Sequence, residues 1–142
     1  MKMTASALMV VMILSLIACQ ASLSTEQEKK ISVAGGTYTN ISAEGLHEML
    51  KDKDFLFVNV HIPFEGDISG TDISIPYDQI TEPTYIAQLP ANREDKIVLY
   101  CRSDRMSTIA AEELVKLGYT NLWNLDGGMV EWEQVGYSIE EK

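Results

Sequence analysis

The sequence predicts an α/β domain in which helices flank a central β-sheet. Three observations support this fold class. The chain has 142 residues, which is enough for one compact domain but short for two. Hydrophobic residues make up 46% of the chain and charged residues 23%, as in a globular protein with a buried core. Beyond Gly36, short β-rich runs alternate with helical patterns.

The folded part is predicted to begin with a strand, a helix and a second strand. Residues 37–41 are rich in β-forming side chains and predict the opening strand. Ser42 is a residue type that caps helices, and the helix after it carries three apolar residues at helical spacing: Leu46, Met49 and Leu50. The apolar run at residues 55–60 predicts a buried strand.

The middle of the domain is less regular. Residues 62–90 are rich in Pro, Gly and Asp and have no clean hydrophobic period. Within this segment, residues 72–75 favour a short strand and residues 85–89 a helical turn.

The last third returns to a clear alternation. Residues 96–100 predict a strand, residues 101–106 a polar loop, and residues 107–117 a helix that ends at Gly118. The remaining elements are a strand, a glycine turn and a short helix, at residues 121–125, 127–128 and 129–135.

Charge and cysteine content exclude several classes of protein. The chain has 21 acidic and 11 basic side chains and a formal charge of −10, so it would repel a phosphate backbone and no nucleic acid is expected as a partner. Cys19 follows an apolar run and Cys101 follows a predicted strand, so no structural disulfide is expected. No Cys/His cluster has metal-ligand spacing, and neither a metal nor an organic cofactor is expected.

Residues 1–18 have the architecture of a signal peptide. Lys2 precedes a nearly unbroken apolar stretch that is shorter than the ~20 residues of a spanning helix, which favours cleavage over permanent insertion. The stretch ends in residues that resemble the lipobox of bacterial lipoproteins: Leu16, Ile17, Ala18 and Cys19. This resemblance implies an acylated Cys19 and a lipid-anchored protein on the periplasmic or extracytoplasmic face of a bacterial cell envelope. An ordinary cleavage site after Ala18 is the alternative.

The segment after the leader is predicted to be a flexible tether. Residues 19–36 contain Ser, Thr, Glu and Lys and show no sustained apolar period. The folded domain is therefore expected to cover residues 37–142.

The loop after the third predicted strand carries the strongest chemical signal. It consists of Cys101 followed by six residues: Arg102, Ser103, Asp104, Arg105, Met106 and Ser107. Between a strand and a helix, consecutive backbone N–H groups converge and favour an anion. The helix start and the two arginines should favour the thiolate form of Cys101, which is a nucleophile. The alternative is a cysteine that packs as a small hydrophobic residue, which the polar neighbours disfavour.

The chain resembles single-domain rhodaneses, and several separate segments carry the resemblance. Residues 97–107, followed by a helix with small apolar residues, resemble the active-site loop of that family. Residues 119–132 resemble its final strand and glycine turn, residues 66–76 its Gly-His-Ile-Pro-Gly segment, and residues 41–46 the start of its first helix. The segments occur in the order of the family and together span roughly residues 38–137.

The resemblance implies a rhodanese-like fold with a mainly parallel sheet, and sulfur transfer through a persulfide on Cys101. Residues 102–107 would form the substrate-binding loop for a small donor such as thiosulfate, and the acceptor would be a thiol or cyanide. The positions of Arg105 and Ser107 are similar to those in the periplasmic phage-shock rhodaneses. A non-catalytic binding or redox-sensing module on the same scaffold is the alternative.

Two other cysteine chemistries are disfavoured. Cysteine-dependent phosphatases need an arginine six positions after the cysteine, and that position is Ser107. A cysteine protease needs a base, and the candidates are only His47 and His61, which have no supporting context.

Three places depart from the family pattern. Asn59 and His61 occupy the positions of Asp and Arg in the family's usual Asp-Val-Arg, so an ion pair common in the family is missing. Its loss is expected to affect stability more than activity. Asp67 replaces the usual His of Gly-His-Ile. Asp104 replaces a common Gly; it can adopt a left-handed backbone, but a carboxylate near the thiolate is expected to weaken activity with thiosulfate.

Overall fold

The computed structural model describes residues 27–141 and contains one six-stranded sheet. The strands are β1 (Glu28–Val33), β2 (Gly36–Ile41), β3 (Leu56–Asn59), β4 (Ile73–Ser74), β5 (Ile97–Tyr100) and β6 (Leu122–Leu125). The helices are α1 (Ala43–Leu50), α2 (Pro83–Ile86), α3 (Arg105–Lys116) and α4 (Gly128–Gln134), with a 3₁₀ turn at Tyr77–Gln79. The strand order is β1-β2-β6-β5-β3-β4, and every neighbouring pair is parallel except β1 with β2. The predicted α/β class with a mainly parallel sheet is confirmed.

The edge strand β1 corrects the predicted tether. Residues 28–33 were expected to be flexible, but they pair along their whole length with β2 in an antiparallel hairpin. Ile31 and Val33 alternate with polar residues and pack against the core, which gives the strand one buried face. The strand was not predicted because its first residues, including Lys29 and Lys30, are charged and the apolar alternation that follows is short. The folded domain therefore includes residues before position 37, whereas the predicted signal peptide, Cys19 and the first part of the tether lie outside the described residues.

The sheet is covered on both faces, as a parallel sheet requires. Along β5, Ile97 and Leu99 face a core formed with α3 and the segment around α2, while Val98 and Tyr100 face a core formed with α1 and α4. All four of these strand residues are fully buried. This double burial explains why the predicted strands read as continuous apolar runs.

Helix α1 begins where the sequence predicts. The Ser42 hydroxyl accepts a hydrogen bond from the Gly45 N–H at 3.1 Å, so Ser42 caps the helix. Leu46 is fully buried on the face that packs against the sheet. Helix α3 starts at Arg105, two residues earlier than predicted, because the turn into it is made by the backbone of Asp104 rather than by a capping side chain.

A buried hydrogen-bond network joins the end of β3, the segment after it and the end of β5. The Asn59 amide donates to the Gly66 carbonyl at 3.0 Å and to the Asp67 carboxylate at 2.9 Å. The Tyr100 hydroxyl donates to the same carboxylate at 3.3 Å and accepts from the Ile68 N–H at 3.0 Å. Burial raises the pKa of Tyr100, so its hydroxyl keeps the proton that it donates. Asn59 and Asp67 thus form a buried hydrogen-bonded pair between the end of β3 and the segment that precedes β4.

The C-terminal segment closes the fold over this network. Asp67 and Glu140 exchange backbone hydrogen bonds of 2.9 and 2.7 Å, and the Trp132 indole donates to the Ser138 carbonyl at 3.1 Å. We call residues 137–140 the C-terminal strap. Among the helices of residues 27–141, none has the length and apolar character to cross a bilayer.

Candidate active site

Cys101 lies at the carboxyl edge of the parallel strands, directly after β5. This edge is where open α/β sheets place their ligand sites. The side chain is only 1% exposed. Its sulfur lies 3.3 Å from the Ser107 hydroxyl oxygen, and that hydroxyl donates to the Asp104 carbonyl at 3.0 Å. Because a hydroxyl both donates and accepts, Ser107 can serve a thiol as acceptor or rotate to donate to a thiolate.

The loop after Cys101 carries a series of free backbone N–H groups, which we call the anion cradle. The N–H groups of residues 102–107 have no hydrogen-bond acceptor within residues 27–141; the first donor of the helix with an acceptor is Thr108, which binds the Asp104 carbonyl at 2.9 Å. Asp104 has a φ of +79°, and this positive φ turns the chain from the strand into the helix. The positive φ that the sequence analysis allowed for Asp104 is observed, and its ψ of −45° places it outside the left-handed helical region. Free N–H groups in such a turn, at a helix start, favour a negative charge at the sulfur.

The Asp104 side chain is directed toward β6 and α4. Its carboxylate accepts a hydrogen bond from the Gly127 N–H at 2.9 Å and another from the Asn124 amide at 3.1 Å. Asn124 is fully buried and also donates to Asn40 at 3.0 Å. The carboxylate therefore anchors the loop to the last strand, a positioning role that the sequence did not predict.

Two backbone hydrogen bonds hold the loop against α4. The Met129 N–H donates to the Cys101 carbonyl and the Val130 N–H to the Arg102 carbonyl, both at 3.0 Å. Gly128 makes this approach possible because a Cβ built on it would lie 2.4 Å from the Cys101 oxygen. The glycine pair in the sequence predicts the turn, but the contact with the loop needs the fold.

The two arginines of the loop have different surroundings. The Arg102 guanidinium lies 3.2 Å from the Glu65 carboxylate, which is also bound by the His61 ring. Arg105 is exposed and forms no ion pair with any described carboxylate. Of the other predicted loop residues, Ser103 is exposed and Met106 is half-buried against the core.

His61 has a defined ring orientation. Its Nε2 faces Glu65, while its Nδ1 is buried and has no partner within the described chain. A proton on Nε2 has the Glu65 carboxylate as its acceptor, whereas a proton on Nδ1 would have no acceptor within the described chain. The hydrogen bond from His61, followed by the charge of Arg102, lowers the pKa of the Glu65 carboxyl. His47 is half-buried and stacks on Tyr137 with ring centroids 4.2 Å apart, so neither histidine contacts the thiol.

Asp126 adds a further carboxyl beside the loop. Burial, and then the neighbouring Asp104 carboxylate, raise its pKa above 3.8. Its side chain accepts from the Asn40 amide at 3.3 Å. No set of three or more His, Cys, Asp or Glu side chains in the described part of the chain is arranged to hold a metal ion.

Comparison with known proteins gives consistent matches. The sequence model of the rhodanese-like domain matches residues 42–135. The chain is 33% identical over 92 residues to a putative mitochondrial thiosulfate sulfurtransferase of Schizosaccharomyces pombe, covering 57% of this chain and 65% of that protein. It is 30% identical over 96 residues to the tRNA uridine(34) hydroxylase of Hamiltonella defensa, covering 65% of this chain and 27% of that protein. The chain thus spans less than two thirds of the length of either relative.

Solved structures agree with the fold. A rhodanese-related protein from Thermoplasma volcanium superposes with a TM-score of 0.57 at 30% identity, covering 70% of this chain and 95% of that one. A rhodanese-like domain from an Anabaena protein gives a TM-score of 0.62 at 20% identity, covering 72% and 79%. The residues matched by the family model, 42–135, include the loop around Cys101.

Proposed function

This chain belongs to the rhodanese-like domain family, and from that premise we propose that it is a sulfurtransferase in which Cys101 carries a sulfane sulfur as a persulfide. The observation that carries the proposal is the Cys101 sulfur 3.3 Å from the Ser107 hydroxyl, at the start of a loop whose N–H groups have no acceptor in the described residues. A donor such as thiosulfate and a thiol or cyanide acceptor complete the reaction. The sulfurtransferase among the relatives supports this chemistry.

The reaction has two displacement steps. The Cys101 thiolate attacks the outer sulfur of thiosulfate, the new S–S bond forms on Sγ, and the S–S bond of the donor breaks to release sulfite. The free N–H groups and Arg105 stabilise the negative charge of the leaving group and of the persulfide. The acceptor thiolate or cyanide then attacks the outer sulfur of the persulfide, which restores the Cys101 thiolate. No step of this proposed reaction uses a metal or an organic cofactor.

The loop does not suit the other cysteine chemistries considered for this fold. Ser107 stands six positions after Cys101, where a phosphatase needs an arginine to bind phosphate oxygens. The charge of −10 also gives no support for transferring the tRNA chemistry of the hydroxylase relatives to this chain.

The test of the proposal is the Cys101→Ser variant. Incubation with thiosulfate should add one sulfur atom to the parent protein and none to the variant, as measured by mass spectrometry of the intact protein. The variant should keep the thermal unfolding midpoint of the parent within a few degrees, because the hydroxyl is nearly isosteric with the thiol. The same mass gain in the variant would contradict the assignment of Cys101.

A second candidate is a non-catalytic binding or redox-sensing module. The 1% exposure of Cys101 favours it, since a donor can reach the sulfur only if the loop moves. In that case the parent would gain no sulfur from thiosulfate or another sulfane donor, but would form a reversible adduct with an oxidant at Cys101.

We also propose that Cys19 is acylated and anchors the protein in a bacterial cell envelope. The proposal rests on the short apolar leader and on the motif that ends at Cys19. The Cys19→Ala variant should accumulate as an unprocessed or soluble form, while the parent should fractionate with membranes. A soluble parent with an unmodified Cys19 at its N-terminus would contradict the anchor.

A further inference from the structure

Glu65 lies outside the loop and forms an ion pair with one of the loop's two arginines. It lies in the segment between β3 and β4, and its carboxylate binds Arg102, the residue that follows the nucleophile, at 3.2 Å. The side chains of Arg102 and Glu65 are 52% and 38% exposed, so the pair lies at the surface beside a buried thiol. Asn59, Gly66 and Asp67 fix the chain next to it through the buried network.

We propose that Glu65 is a specificity-determining positioning residue, which holds Arg102 in an ion pair and thereby favours sulfur donors with one negative charge over the thiosulfate dianion. The inference rests on the proposed sulfur transfer and names the donor class for the same site. Donors of the favoured class are persulfide anions and thiosulfonates.

The contacts of Glu65 keep its charge in place. The His61 ring, through Nε2, and the Arg102 guanidinium both contact the same carboxylate oxygen of Glu65, Oε2. The His61 side chain is only 9% exposed, and its backbone N–H donates to the Asn59 side chain at 3.0 Å. A histidine held this way cannot easily turn out to solvent. Within the described chain, Glu65 is therefore the anionic partner of Arg102.

The other charges of the loop leave one free cation. Arg102 is balanced by Glu65, whereas Arg105 has no carboxylate partner in residues 27–141. The Asp104 carboxylate adds a negative charge on the side of Asn124 and Gly127. A second negative charge on the donor thus meets little uncompensated positive charge, and the N–H cradle suits a single charge on the transferred sulfur.

The chemistry for a thiosulfonate is the same displacement with one charge fewer. The Cys101 thiolate attacks the terminal sulfur of methanethiosulfonate, the S–S bond to Sγ forms, and the donor's sulfur–sulfur bond breaks with its electron pair leaving on methanesulfinate. Methanethiosulfonate replaces one oxygen of thiosulfate by a methyl group, so the two donors are close in size and differ by one charge. They are therefore a matched pair of probes.

The experiment compares the two donors in the parent, Glu65→Gln, Arg102→Gln and the double variant. In Glu65→Gln, the ratio of kcat/KM for thiosulfate to that for methanethiosulfonate should rise by about threefold to tenfold at low salt, mainly through KM, and the rise should shrink at high salt. When Arg102 is already Gln, the double variant should have nearly the same ratio of kcat/KM values as the Arg102→Gln single variant. Glu48→Gln, which removes the same charge from an exposed ion pair with Lys51 on α1, is the control and should have no effect.

A second readout does not depend on sulfur transfer. The rates at which iodoacetate and iodoacetamide alkylate Cys101 compare an anionic with a neutral reagent of similar size, and their ratio should rise in Glu65→Gln by a similar factor. Absence of persulfide in the parent with either donor would overturn the proposed function, while the alkylation ratio would still decide the role of Glu65. Unchanged ratios in Glu65→Gln, or an equal change with and without Arg102, would overturn the inference.

Discussion

The Ser107 hydroxyl connects the nucleophile to the backbone of its own loop. It lies 3.3 Å from the Cys101 sulfur, donates to the Asp104 carbonyl, and is fully buried. A thiolate at this position has few other side-chain donors within reach. Ser107 should therefore influence reactivity as well as loop geometry.

We predict that Ser107→Ala slows persulfide formation about threefold to tenfold at neutral pH. Losing one buried hydrogen bond to a charged sulfur amounts to about 1 kcal/mol, which corresponds to this factor. Stopped-flow or mass-spectrometric rates with thiosulfate would measure it. Thr108→Ala is the control, since the Thr108 hydroxyl binds the Arg105 carbonyl and has no contact with the sulfur. Equal slowing in both variants would indicate general damage to the helix start.

Asp126 gives a prediction about pH. Burial and the adjacent Asp104 raise its pKa in the folded protein, so the folded state holds this proton more tightly than the unfolded state. Ionisation of Asp126 therefore disfavours folding, and its contribution to stability is lost as the pH rises above 3.8. We expect Asp126→Asn to have a higher free energy of unfolding than the parent at pH 7. In urea titrations, the difference should vanish toward pH 3; a difference that grows on acidification would contradict this sign.

The sequence could predict the geometry of the loop after Cys101 because these residues are contiguous. Cys101, Ser107 and the positive φ at Asp104 all follow from a short pattern of residues. It could not predict that Glu65 binds Arg102 or that Asn124 binds Asp104, because these partners are far apart in the chain and meet only when the strand ends converge at one edge. The direction of the Asp104 carboxylate likewise depends on the turn after β6.

At the scale of elements, the start of α4 and the loop after β5 form one unit. The backbone of Cys101 and Arg102 accepts two hydrogen bonds from α4, and Gly128 lies against both carbonyls. The shape of the anion cradle thus depends on an element that contributes no side chain to the chemistry.

We predict that Gly128→Ala reduces both stability and persulfide formation. The Cβ of the alanine would lie 2.4 Å from the Cys101 carbonyl oxygen and 2.7 Å from the Arg102 carbonyl. These are backbone atoms, which cannot move aside as the end of a flexible side chain can. This clash and the strain of a φ of +60° should together lower the free energy of unfolding in urea by about 2–4 kcal/mol. Gly118→Ala is the matched control, because Gly118 also has a positive φ but no atom within 4 Å of its Cβ position. It should lose about 1–2 kcal/mol and keep the parent's rate of persulfide formation.

The elements that the sequence predicted best are those buried on both faces. Strands β3 and β5 appear within one residue of the predicted runs, since burial on both faces demands apolar residues, and β6 does so although it contains the buried Asn124. Strand β1 was missed because only Ile31 and Val33 face the core at the sheet edge. The region around α2 was unclear because it is held by tertiary contacts of short turns rather than by a hydrophobic period.

For the whole molecule, the C-terminal strap joins the last helix to the segment after β3. It covers Trp132, which is only 4% exposed, and completes the backbone hydrogen bonds of Asp67. Regions distant in sequence thereby become one cooperative unit.

We predict that truncation after Tyr137 destabilises the protein by about 1–3 kcal/mol. The backbone groups of Asp67 and the Trp132 indole lose their partners, and unsatisfied groups of this kind have costs of this order. Urea unfolding would show a lower midpoint, and tryptophan fluorescence of the folded state would shift to the red. A shorter truncation that removes residues 141–142 alone is the control and should match the parent in both measurements.

The antiparallel direction of β1 determines at which edge of the sheet the chain that precedes it leaves the domain. Glu28 lies opposite Ile41, at the carboxyl end of β2, and the Gln27 carbonyl accepts from the Ser42 N–H at 2.8 Å. The upstream chain therefore leaves the domain at the sheet edge that also carries Cys101. Cys19 precedes Gln27 by eight residues (27 − 19 = 8), which span at most about 29 Å when fully extended. If Cys19 is acylated, this short tether keeps the proposed persulfide of Cys101 close to the bilayer. Small thiols and membrane-associated partners would then accept its sulfur more readily than large proteins from the bulk solvent.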